Sequence, residues 1–183
     1  MFRPFAKKSQ GFSLIEILVV ISIVGILTSI LVVNYNQARQ NSRDKIRMSD
    51  LKSLQLAIEL YKSQNGTYPT QGCGSGSQWA GPGPYDQSWG ASCENYILGL
   101  VPDYIGKLPR DPSREDEMNT GYLYRSDGNS YKLLAHQSVE SSFITSFADE
   151  FARCPALGGG CTNLSDLWVR ATYGVYSAGA EQW

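Results

Sequence analysis

From Phe12 to Val33 the chain reads FSLIEILVVISIVGILTSILVV, 22 residues with a single charge, Glu16. At about 1.5 Å of rise per residue this makes a helix of about 33 Å, enough to cross a hydrocarbon core of roughly 30 Å. Mean hydropathy over the whole chain is only -0.26, so the apolar residues are concentrated at one end. Ahead of the run stand Arg3, Lys7 and Lys8 with no acid, which holds the amino terminus in the cytoplasm and sends the remainder outward. A secretory signal would have a shorter apolar stretch, roughly 7 to 15 residues, followed by a small-residue cleavage site. Here the small residue, Gly11, precedes the run. The first expectation is a single-pass span, N-in and C-out.

A carboxylate on a lipid-facing helix costs about 3 kcal/mol on insertion scales, and no Lys, Arg or His within the run pairs with Glu16. Two readings remain open. In one, Glu16 sits near the cytoplasmic end of a permanent anchor and snorkels to the interface. In the other, the positive charge comes from another molecule; a cut after Gly11 would create one, the amine of Phe12 on a neighbouring copy.

Gly11, Phe12, Ser13, Leu14, Ile15 and Glu16, behind a short basic leader and ahead of an unbroken apolar helix, resemble the class III signal of type IV pilins and type II secretion pseudopilins. The resemblance implies a membrane-embedded prepilin peptidase that cuts between Gly11 and Phe12 and methylates the Phe12 amine. It makes Glu16 the fifth residue of the mature chain, pairing with a neighbour's terminus in a helical filament. The implied partners are further copies, related pilins, the peptidase and a membrane assembly platform. The implied fold is α+β and pilin-like, a long N-terminal helix packed on a small antiparallel β-sheet head. The segments are a leader over 1–11, a transmembrane and assembly helix over 12–33, its amphipathic continuation over 34–66, and a disulfide-containing head over 67–183. Gly25 falls where the family often has a helix-loosening glycine, whereas the proline many members carry near the end of the apolar run is absent, Val32 and Val33 standing there.

No proline occurs between Phe5 and Tyr68, so one helix is expected to reach Asn65. Residues 39–50 read as polar almost all round, then Leu51, Leu54, Ile58 and Tyr61 recur at helical spacing and predict a face packed on the head. Gly66 and Pro69 are stop signals. Thr70 to Ser92, with six glycines and two prolines, reads as a long loop, followed by a short helix or turn around Asn95 to Leu100. Gly121 to Ser126 and Asn129 to His136 read as strands joined by a two-residue type I′ turn at Asp127-Gly128. Phe143, Phe147 and Phe151, four apart, predict a short helix, and Leu167 to Ser177 a final strand.

Four cysteines fall in the part expected outside the cell, where thiols oxidise. They permit three pairings; Cys73 with Cys93 and Cys154 with Cys161 is favoured because each pair brackets a glycine-rich loop. No CxxC occurs and His136 is the only histidine, so neither a zinc site nor a catalytic triad is expected. No cofactor is expected, with one exception to weigh: the resembling major pseudopilins hold calcium in a loop near this region. Asp111, Glu115, Asp116 and Glu117 supply hard oxygens there, but without an EF-hand spacing, so Asp111 and Asp116 stand as weak calcium candidates against a solvated acidic surface. Trp79, Tyr85 and Trp89 are read two ways, as a stacking surface for a sugar or neighbour and as core filler.

A filament subunit is thus the leading expectation. The rival is a permanently anchored module whose head binds a glycan, ion or protein. An enzyme is disfavoured because no acid, base and nucleophile converge. The precursor's formal charge is -1; without its leader it has 13 basic and 17 acidic residues, a net -4, which argues against nucleic-acid binding by bulk charge.

Overall fold

The proline-free stretch folds as one helix, α1, Leu14–Asn65. The computed structural model describes residues 11–75, 78–114, 116–158, 161 and 163–183, with the backbone alone at 30–33. The leader's Arg3, Lys7 and Lys8, together with Glu115, lie outside the described residues. Two units are distinguished, Met1–Arg39 and Gln40–Trp183, and α1 contributes to both. The helix stops where Gly66 takes a φ of +80°, the left-handed value a Cβ disfavours, and its N–H donates to the Lys62 carbonyl at 2.9 Å.

The second unit carries one five-stranded sheet in the order β2-β1-β3-β4-β5, with β1 Trp79–Gly81, β2 Gly90–Ser92, β3 Gly121–Ser126, β4 Tyr131–His136 and β5 Tyr173–Tyr176. The sheet is mixed, because β1 and β2 run parallel while the other pairings are antiparallel. Both short strands lie inside the stretch read as a loop. Glycine permits them: a Cβ on Gly81 would stand 2.2 Å from the Tyr122 carbonyl oxygen. Strand alternation splits the sheet into two faces. Tyr122, Tyr124, Tyr131, Leu133, Ala135, Tyr173 and Val175 join Leu51, Leu54, Ala57 and Ile58 of α1 in the main core. Leu123 and Leu134 belong to the other face with Trp79 and Tyr85.

This core is rich in tyrosine, and most of the phenol groups reach acceptors. The Tyr122 hydroxyl donates to Asp50 at 2.7 Å, Tyr124 to the Pro69 carbonyl at 2.7 Å, and Tyr173 to the Ser142 carbonyl at 2.8 Å. Rings thereby fill volume that a small domain needs while their polar ends tie helix, loops and sheet together.

Three local expectations are corrected. The hairpin connection has four residues, Asp127 to Ser130, because Ser126 pairs with Tyr131 and the Asp127 carboxylate accepts from the N–H groups of Asn129 and Ser130. That side-chain turn replaces the type I′ turn. No helix forms over Phe143 to Phe151: the Ile144 N–H donates to the Arg170 carbonyl and the Phe151 carbonyl accepts from the Gly174 N–H, so the segment's backbone is committed elsewhere. The stretch Leu167 to Ser177 divides into α2, Leu167–Arg170, and β5. Around Asn95 to Leu100, expected as a short helix or a turn, the chain turns.

The helix stripe yields a paired test. Leu54→Ala removes a fully buried side chain and should cost about 2–5 kcal/mol, whereas Leu56→Ala, on a residue 72% exposed, should leave stability within about 0.5 kcal/mol. Urea denaturation of the detergent-solubilised chain, followed by tryptophan fluorescence, measures both; equal losses would contradict this packing.

Candidate functional site

The apolar run and its one acid can be described within the first unit. Ser13 precedes the first helical residue and Glu16 is the third, the S-x-x-E arrangement of a capping box, and the Ser13 N–H donates to Glu16 Oε2 at 2.7 Å. Glu16 therefore satisfies an amide that a helix start leaves without an intrahelical acceptor. Among the described residues no cation pairs with it, and its other oxygen accepts no hydrogen bond. Phe12, Leu14 and Ile15 are exposed, as are the described residues that follow to Ser29.

Three of the run's four hydroxyls are satisfied by the backbone. Ser22 donates to the Leu18 carbonyl, Thr28 to that of Val24 and Ser29 to that of Ile26, each at 2.7 Å. The stretch presents hydrocarbon outward while its polar groups turn back on the backbone, which is what a bilayer or a bundle of like helices demands. A Cβ at Gly25 would meet no atom within 4 Å, so nothing inside this chain requires the glycine.

A second constellation lies in the other unit, where α1 bears Arg43, Asp44 and Arg47. Arg47 is fully buried, and all five of its N–H donors have acceptors. Nε and Nη2 form a fork on the two oxygens of Asp111, each at 2.8 Å. Nη2 also donates to Ser113, while Nη1 donates to Asp44 at 2.8 Å and Glu140 at 3.1 Å. Asp44 in turn accepts from the backbone N–H groups of Glu140, Ser141 and Ser142. Arg43 makes a second fork with Glu140. Burial raises the Asp44 carboxyl, but the Ser142, Glu140 and Ser141 groups outweigh it and the net direction is down. Burial likewise opposes Asp111, and Arg47 with the Ser113 and Arg114 N–H groups brings it below its ordinary value. The Arg43 fork leads the causes that lower Glu140 to about 2 against burial.

The sequence signal for this knot was present but masked by polarity. Asp44 and Arg47 continue the stripe of Leu51, Leu54 and Ile58 backward at steps of three and four, and so point inward with it. The candidate calcium ligands are not brought together. Asp111 is committed to Arg47, Asp116 is exposed, and among the described residues no group of three or more His, Cys, Asp or Glu side chains is placed to hold a metal. Cys73 is bonded to Cys93 and Cys154 to Cys161. Trp79 and Tyr85 are buried and Trp89 is half-buried; the Tyr85 hydroxyl lies within hydrogen-bond reach of the Thr120 and Tyr122 carbonyls. His136, read from sequence as having no catalytic role, is buried at the end of β4.

Comparison with known proteins bears on the first constellation. The family description "Prokaryotic N-terminal methylation motif" matches residues 6–32. A type II secretion system core protein G of Klebsiella pneumoniae is 34% identical over 110 residues, covering 60% of this chain and 73% of that protein. One of Vibrio cholerae is 32% identical over 123 residues, 67% of this chain and 75% of that protein. A third, of Escherichia coli strain K12, is 34% identical over 109 residues, 60% and 70% respectively. No solved structure matches the chain.

The knot predicts an acid-sensitive head. A carboxyl lowered by folding adds stability above its unfolded value, near 4, and loses it as pH falls through the folded value. Asp44, Asp111 and Glu140 therefore act in one direction, with the loss running from about pH 5 toward pH 2. Asp50, raised mainly by burial, opposes them. Urea midpoints measured from pH 7 to pH 2 should fall steeply. Arg47→Ala, which leaves Glu140 to Arg43 but takes the cation from Asp44 and Asp111, should lose about 3–5 kcal/mol at pH 7 and show a flatter acid limb. A pH-independent midpoint would refute this account.

Proposed function

This chain belongs to the type II secretion system core protein G family, and from that premise we propose how it is processed, anchored and assembled. It is a structural subunit of a pseudopilus-type filament, made as a precursor that a prepilin peptidase processes. Cleavage falls between Gly11 and Phe12, and Phe12 receives the methyl group. Before assembly the chain waits in the membrane through Phe12 to Val33, N-in and C-out, with its head outside. In the filament the apolar helices of successive copies and related subunits bundle together, so helix packing replaces lipid contact. The assembly platform draws subunits from the bilayer. The role needs no covalent chemistry from the chain itself and no nucleic acid.

The observation that carries this reading is Glu16. Among the described residues its one hydrogen bond is the cap on Ser13 and no cation neutralises it, and it lies at the start of an exposed apolar helix. In a low-dielectric filament core an unpaired carboxylate is costly, and the Phe12 amine of a neighbouring copy supplies the charge it lacks.

The cap allows the two roles of Glu16 to be separated. Glu16→Gln keeps an oxygen for the Ser13 N–H and removes the charge, whereas Glu16→Val removes both. Both variants should enter the membrane and be processed, and both should be missing from sheared filaments. Filament yield from Glu16→Gln equal to wild type would reduce Glu16 to a helix cap. Mass spectrometry of the N-terminus from peptidase-competent cells should give N-methylated Phe12, and an intact Met1 terminus would end the filament reading.

A further inference from the structure

The sheet face away from the α1 core holds a pocket of about 280 Å³ that the filament role does not use. Three of the chain's four tryptophans line it: Trp79 from β1, Trp89 just before β2 and Trp168 from α2. Between them lies Arg153, only 8% exposed. Among the described residues its single hydrogen bond runs from Nη1 to His136 Nδ1 at 3.1 Å, and Trp168 covers one face of the guanidinium, 4.9 Å from the ring centroid. Nε is buried with no acceptor. Among the described residues Nη2 makes no hydrogen bond. Among the described residues no carboxylate pairs with Arg153. Burial lowers it to about 10, which still leaves it charged at neutral pH.

The surroundings do not supply the missing anion. Arginine can only donate, so His136 Nδ1 accepts and the ring proton sits on Nε2; the Gln137 amide 3.1 Å away then turns its oxygen to that proton and its NH₂ group away from it. Burial, then Arg153, lowers His136 to about 3, so it stays neutral. A buried cation without a counter-ion is normally strongly destabilising, and the Trp168 face offsets only part of its charge. The two non-glycine residues with positive φ among the described residues, Asn119 at 61° and Gln137 at 48°, both line this same pocket. Such backbone strain costs of order 1–3 kcal/mol and gathers at ligand clamps. The Asn119 Oδ1 is held by the Asp86 N–H at 2.9 Å, which leaves its NH₂ group for another partner.

We propose that this pocket binds a sugar acid: one pyranose ring stacked on the indoles, its carboxylate on Arg153 and its hydroxyls on the Asn119 and Gln137 amides. The anion follows from the unpaired guanidinium. The ring follows from three indoles around a space near the lower end of small-ligand pockets, roughly 300 Å³. Sugar is favoured over a flat aromatic acid because it gives the NH₂ groups of the two amides hydroxyls to bond. The site stands independently of the filament reading.

The full chain in detergent micelles, titrated with galacturonate while tryptophan fluorescence is followed, tests this directly. A saturable change is expected, at least tenfold weaker in apparent affinity for galactose, for acetate and for the neutral methyl ester of galacturonate. The ester reads the Arg153 contact without altering the protein. Arg153→Gln should erase the preference for acid over ester. Trp89→Ala, on a half-buried residue, should weaken galacturonate at least tenfold with an unchanged thermal midpoint. Equal affinity for the ester, acetate binding as tight as galacturonate, or no saturable response would each overturn the proposal. So would displacement of galacturonate by a short acidic peptide at lower concentration, which would assign the pocket to a protein partner.

Discussion

Arg47 is the residue on which the second unit's architecture turns. It holds α1 against the segments 111–113 and 140–142, and these flank the central hairpin: the first leads into β3 and the second follows β4. The hairpin's open end, where Gly121 pairs with His136, is further closed by the Gly121 N–H donating to the Ser138 hydroxyl. At the turn end the Tyr68 N–H donates to the Gly128 carbonyl and the Tyr124 hydroxyl to that of Pro69. Helix and sheet are thus tied at both ends, with Leu51, Leu54 and Ile58 packed between. The polar ties fix the register of an apolar contact that by itself is non-directional.

The same helix has a second apolar surface that the chain leaves uncovered. From Phe12 to Ser29 the described residues are exposed, although the hydrophobic effect alone would bury them. An apolar surface of this size marks contact with lipid or with another protein. The family role uses both in turn. The backbone-satisfied hydroxyls of Ser22, Thr28 and Ser29 suit either surrounding, because neither water nor a fixed polar partner is needed.

Much of this was legible from residue order. Helix α1, its stop at Gly66 and the stripe at Leu51, Leu54 and Ile58 follow from period and punctuation, and β3 matched its expected bounds. What escaped notice depended on tertiary partners. Asp44 and Arg47 look like surface residues until Asp111 and Glu140, distant in sequence, are brought to them. Strands β1 and β2 have three residues each and little β propensity, so their pairing rests on neighbours rather than composition. The spacing of Phe143, Phe147 and Phe151 imitates a helix, yet Phe151 packs in the main core and Phe147 beside the Cys154–Cys161 cluster, on an irregular backbone. Four-residue periodicity over so short a segment cannot compete with backbone hydrogen bonds to Arg170 and Gly174.

The two buried arginines show why Arg153 calls for a ligand and Arg47 does not. Both are withdrawn from water, a change that opposes the charged form in each. Around Arg47 the protein places three carboxylates and a serine, every donor is used, and the net direction of its pKa is up. Around Arg153 it places an imidazole, an indole face and an orphaned Nε, and the net direction is down. A chain that builds a complete anion shell for one arginine has the means to build it for another. The incomplete shell lies beside an open pocket rather than in closed core, so the missing acceptor is one that arrives from outside.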